Sequence, residues 1–167
     1  MQEALRTLFL RDLDSIHREV ELYPDDDVLW KTMPGISNSS GNLALHAAGN
    51  LLHFIGGILG KTGYVRNREA EFSRRSGTRR EVMDEVTRAR EVVGDVLARL
   101  TGEDLARPYP ELVNGRRFST GDFLLHLSTH LAFHLGQAGY LRRAVTGDAT
   151  SSGAVSNAVL ASVEERR

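Results

Sequence analysis

The segment from Ser119 to about Val145 constrains the fold more than any other. It runs without proline, and Phe123, Leu127, His130, His134, Gln137 and Leu141 recur every three or four residues. That period places them on one face of a helix, with Ser119 at its start and Asp122 in its first turn. A stripe of this length has to be buried against other helices, and the rest of the chain supplies three. Leu5, Phe9, Leu13, Ile16 and Val20 form the first stripe, which "YPDDD" interrupts. After the loop "MPGISNSSGN", a helix starting near Ser40 carries Leu43, Ala47, Asn50, Phe54 and Ile58, with His46 beside them, and closes at Gly60 and Gly63. The next begins with the capping box Thr78-Arg-Arg-Glu81 and presents Val82, Val86, Ala89, Val93, Val96 and Leu100. No stretch alternates as a strand would. Four such helices predict an all-α four-helix bundle over residues 1–148. Residues 149–167 read as a flexible C-terminal segment, with room in its last dozen residues for a short fifth helix.

Composition narrows the function classes. A chain of 167 residues suffices for one full core. A net charge of −1 gives no general attraction to nucleic acid or an anionic membrane, and aromatic residues do not interleave with the arginines. The apolar stretch around Leu51 to Leu59 is too short to span a bilayer, and the charged N-terminus does not read as a signal peptide, so a cytoplasmic location is expected. Without cysteine, any metal site must use histidine, carboxylate or water.

Three of the six histidines, His126, His130 and His134, are spaced by four on the last helix. Residues four apart lie one turn apart on nearly one face, so a pair can share an ion. His126 to His134 spans about 12 Å of helix axis, too far for all three to do so. His130 and His134 share the stripe of Leu127 and Leu141, whereas His126 is rotated toward its edge. If a pair holds an ion, that favours His130 and His134, with His46 on the second helix as the natural third ligand; spacing alone fits equally well histidines that are satisfied core or interface residues. His53 is about 10 Å further along than His46.

Two segments, "NLALHAAGNLLHFIGGILG" at 42–60 and "FLLHLSTHLAFHLGQAGYLRR" at 123–143, resemble the DinB-like superfamily. These metal-dependent four-helix-bundle proteins include S-transferases that use bacillithiol or mycothiol. The resemblance implies that His46, in the "LxHxAGN" pattern, and His130 and His134, in "HxxxHxGQ", are the ligands of a three-histidine site. Leu135 stands where many members have Arg.

A divalent ion, Zn or Ni first and Fe or Mn next, suits three neutral imidazoles and keeps coordination positions open. The resemblance implies a metal-dependent transferase whose partners are a low-molecular-weight thiol and an electrophilic substrate, and a homodimer. A non-catalytic metal-binding or stress-related bundle and a metal-dependent hydrolase are the alternatives. Asn50, Gln137 and His126 are the candidate catalytic or orienting groups, the first two reading equally as ordinary helix polarity. Seven basic residues between Lys61 and Arg80 either attract an anion or form a solvated loop that complements the helix terminus, and Arg142 and Arg143 read in the latter way.

Overall fold

The computed structural model describes residues 2–160. Four long helices form the bundle: α1 (Gln2–Glu21), α3 (Ser40–Leu51, continuing as a π-helical segment Leu52–Leu59), α5 (Arg79–Arg99) and α7 (Thr120–Thr146). Short helices lie in the connections, α2 (Asp26–Leu29), α4 (Arg68–Ser73) and α6 (Gly102–Ala106), and a 3-10 turn covers Ala158–Leu160. No strand occurs among the described residues. α1 and α3 each pack against both α5 and α7, so α1 faces α3, and α5 faces α7, across the diagonals.

Side chains at the helix starts explain where the helices begin. Ser39 and Asn42 make a capping box on α3, Thr78 and Glu81 one on α5, and Ser119 accepts from the Asp122 amide on α7. Gly147, with φ 71°, ends α7 in the left-handed conformation that a residue with a Cβ adopts at a cost. The expected stripes of α1 and α5 are buried, except that Leu97 takes the core position expected of the half-buried Leu100. The π segment changes α3. Its extra residue per turn rotates the helix, so Leu52 and Ile55 enter the core while Phe54 and Ile58 are only half buried. Tyr109, fully buried from the α6–α7 connection, donates its hydroxyl to the Phe54 carbonyl at 2.7 Å.

Three further differences matter. By length and composition Ser40–Leu59 is apolar enough to cross a bilayer, more than the Leu51–Leu59 stretch promised; two-thirds of it is buried inside the bundle, as a core helix would be. The arginine-rich connection contains α4, tied down by Asn42, whose Nδ2 donates to the carbonyls of Glu71 and Arg74. Arg142 is completely buried rather than solvated at a helix terminus. Its Nε donates to Glu19 at 2.5 Å, and its two Nη groups donate to the carbonyls of Asp148 and Thr150. Arg11 adds a bond to the Ser156 carbonyl, so residues 148–156 return along α1. Residues 161–167 of the expected C-terminal segment lie outside the described part.

Candidate metal centre

His46, mid-way along α3, and His130 and His134 on α7 converge where the two helices run antiparallel. The His46 ring centroid is 5.3 Å from that of His130 and 4.9 Å from that of His134. One nitrogen from each of the three lies within 4.8 Å of the others. The buried face of α7 is Phe123, Leu124, Leu127, Leu131, Leu135, Ala138 and Leu141. His130 and His134 therefore sit at its border, half buried, and not on the central stripe as expected. Gln137, expected to point inward, is exposed. Leu135 packs in the core at the position where the resemblance implied Arg.

Hydrogen bonds decide which nitrogen of each ring is free. His46 Nδ1 lies 2.9 Å from Glu71 Oε2 and 3.2 Å from Arg66 Nη2. Glu71 only accepts, and Arg66 already donates to it twice, through Nε at 2.7 Å and Nη2 at 2.8 Å. The Nδ1 proton thus belongs on His46 and is donated to Glu71, which leaves Nε2 as a lone pair toward the other two rings. His134 is set in the same way: Nδ1 donates to Gln137 Oε1 at 2.8 Å, freeing Nε2. His134 Nε2 stands 3.1 Å from His130 Nε2. Two nitrogens about 2.0–2.1 Å from one ion are separated by roughly 3.0 Å at a right angle and 3.4 Å at the tetrahedral angle, so this spacing suits a shared divalent ion. A carboxylate or amide behind each ligand is also the arrangement that orients metal-binding imidazoles.

Electrostatics agree with this donor set. Burial, with the adjacent His134 and His46 rings, pushes His130 down to about 4. Burial lowers His134 as well, against the opposing effect of the Gln137 bond. Both are neutral imidazoles at pH 7, the form able to ligate a metal ion. Burial raises the Glu71 carboxyl, but its bonds to Arg66 and His46 outweigh that, and it titrates below the usual range.

Glu71 and Arg66 escape sequence reasoning because they come from a connection without a long periodic pattern. One signal existed: Glu69 and Glu71 are the only acids in the basic stretch between Lys61 and Arg80. Gly49 provides the space. A Cβ there would collide with the Glu71 carboxylate, which explains a glycine three residues after His46 in a buried helix.

Of the candidate catalytic residues, Gln137 is the acceptor for His134. Asn50 is buried at 7% exposure, and its Oδ1 has no hydrogen-bond partner among the described residues. It lies one turn beyond His46 and one turn before Phe54, which packs on Phe123 of α7 at 5.1 Å. Asn50 is therefore on the α7-facing side, between the histidines and that aromatic pair. An orphaned acceptor there fits a site built for an added ligand. His126 is exposed, its ring 6.3 Å from His130 and outside the three-histidine group. It lines a separate cleft of about 580 Å³ with Arg116, Asp122 and Phe118 under the Val113–Arg116 turn. His53 meets the Phe54 ring edge-on at 4.7 Å, its pKa lowered by burial and by the Arg66 charge.

Fold and site together define an all-α bundle with a three-histidine group able to hold a metal ion. The family model of the DinB superfamily matches residues 8–138, and the chain belongs to that superfamily. A comparison with curated proteins gave no match.

Proposed function

We propose that the protein is a metal-dependent thiol S-transferase. The observation that carries this reading is the donor set: three imidazoles, two of them half buried at the edge of α7, with no fourth protein ligand in the group among the described residues. Closed four-ligand sites serve structure, whereas three-ligand sites that keep a position for water or substrate serve catalysis. His46, His130 and His134 would hold a divalent cation, which when bound lowers the pKa of an added thiol and so supplies a nucleophile at neutral pH.

The chain's own residues do the rest. Glu71, clamped by Arg66, keeps the His46 ring oriented and its Nδ1 protonated. Gln137 does the same for His134. Asn50 Oδ1 stands ready to accept a proton-bearing group of an incoming ligand, which would orient it beside the histidines. With no cysteine in the chain, the thiol comes from outside. The sulfur forms a bond to the electrophilic carbon, the leaving group departs with the bonding pair, and the thiol proton passes to solvent.

The test is thiol consumption by metal-free and metal-reconstituted protein, across several low-molecular-weight thiols and a panel of electrophiles. Turnover that requires metal and disappears in His130→Ala supports the transferase. Metal binding without turnover anywhere in the panel would sink it in favour of a non-catalytic metal-binding bundle.

A further inference from the structure

The three-histidine group has a cleft on each side along α7, and the two differ in chemistry. The cleft at His126 holds Arg116 and Asp122. The one at His134, about 550 Å³, is lined by no Asp, Glu, Lys or Arg. Its walls are apolar, Leu43 from α3 and Leu141, Ala144 and Tyr140 from α7, and the α2–α3 loop closes it with Ile36. Its polar side chains are uncharged, among them Ser37 and Asn38 at the loop and Gln137 beside His134.

The loop that forms the outer wall has a defined shape. Met33-Pro34-Gly35-Ile36 is a turn closed by the Ile36 amide on the Met33 carbonyl at 2.9 Å, with Gly35 at φ 81°. Proline followed by a glycine at positive φ is the pattern of a type II turn. Ile36 is 45% exposed and Tyr140 79% exposed, so large apolar side chains face solvent on both sides of the cleft. Phe133 is 61% exposed and its ring lies 5.4 Å from that of His134. Exposed apolar groups around an uncharged concavity mark a ligand site more than a random surface does. Arg143, outside the lining, has its guanidinium over the Tyr140 ring, 5.5 Å from the centroid.

We infer that this cleft binds the uncharged, apolar portion of a small substrate, an aryl or branched alkyl group, and holds it against the His134–Gln137 pair. The inference rests on the transferase reading for what happens next, since it assigns the cleft to the electrophile. Its binding chemistry is independent of turnover. A charged group inside would lose hydration and gain no opposite charge from the lining. The ionic partner has its place on the His126 side, where charged side chains are available.

Three probes that share a fluorophenyl ring and differ in charge test this: 4-fluorotoluene, 4-fluorobenzoate and 4-fluorobenzylammonium, titrated into the zinc-loaded full chain and followed by fluorine NMR. The neutral probe should bind at least fivefold more tightly than either ion. Ala144→Phe fills the cleft from an exposed position of α7, about two turns beyond Gln137 and nearly three beyond His134. It should weaken 4-fluorotoluene at least tenfold and leave zinc content unchanged. Ile36→Asp, on the loop, should weaken the neutral probe and favour the ammonium. Equal or tighter wild-type binding of either ion that Ala144→Phe weakens as it weakens 4-fluorotoluene would overturn the inference, as would unaltered 4-fluorotoluene binding in both variants. Absence of thiol turnover would count against the transferase without touching these affinities.

Discussion

Two clusters of polar side chains interrupt the apolar packing of α7, one around His130 and His134 and the other around Arg142. At Arg142 every polar group is answered. Its guanidinium meets Glu19 and two carbonyls, and Asp148 adds a carboxylate at 3.6 Å. Nearby, Tyr23 donates to Ser40 at 2.7 Å and Ser40 to the Ala138 carbonyl at 3.2 Å. At the histidines Glu71 and Gln137 fix the outward nitrogens of His46 and His134, His130 Nε2 and His134 Nε2 face each other at 3.1 Å, and Asn50 Oδ1 has no partner among the described residues. A fully satisfied buried network holds a fold together; an oriented one that leaves a buried acceptor unpaired has room for an added partner.

That contrast can be broken at its closed end first. Arg142→Met strands the Glu19 carboxylate, which is 2% exposed, in the interior. Loss of one partner of a buried pair costs about 3–5 kcal/mol. Urea denaturation should show a loss of that size, with substantial recovery in Arg142→Met/Glu19→Leu. His130→Ala, by comparison, should scarcely move the midpoint of the metal-free protein.

The two ends should also respond to opposite extremes of pH. Burial, partly offset by the Ser40 bond, raises Tyr23 to about 12 from an ordinary 10. The unfolded chain therefore loses this proton first. Stability is intact below pH 10 and falls as pH rises through 12, by about 2–3 kcal/mol in all. Tyr23→Phe should remove that alkaline loss. At the other end, His130 is lowered to about 4 from 6.5. Here the unfolded chain takes up the proton first, so the metal-free protein should lose stability as pH falls from 6.5 toward 4. Denaturant midpoints measured across both ranges check the two signs.

Smaller effects sharpen the account of the open end. Glu71→Gln keeps the shape but not the charge behind His46, and Gly49→Ala displaces that carboxylate. Each should reduce metal affinity about 10–100-fold in a competitive chelator titration. Asn50→Leu should do the opposite of a usual core change. Removing a buried acceptor without a partner should raise the stability of the metal-free protein by about 1 kcal/mol. A destabilised variant would show that Asn50 is satisfied in the folded state and so is not poised for a ligand.

How much of this was legible beforehand differs between the same two regions. Helix starts were readable because Ser119 and the Thr78–Glu81 box act within one turn of sequence. The meeting of His46 with His130 and His134 was readable because i, i+4 spacing fixes two of them, and a facing helix has a limited choice for the third. Partners distant in sequence were not. Glu71 and Arg66 come from a six-residue helix and its approach, too short for periodicity to show. Arg142 looked like a helix-end cation because its burial depends on Glu19 and on the chain returning past Asp148 and Thr150. The π segment displaced Phe54 and Ile58 from the core for a related reason, since a straight helical wheel carries one period through the whole helix.

The central claim is that His46, His130 and His134 act together as the ligands of one ion. Metal content of the purified, metal-reconstituted chain tests it most directly, measured for the wild type and for alanine variants of His46, His126, His130 and His134. The expected result is one divalent ion per chain in the wild type and in His126→Ala, and loss of the ion in each of the other three. Equal metal in all five proteins, or none in the wild type, would contradict it.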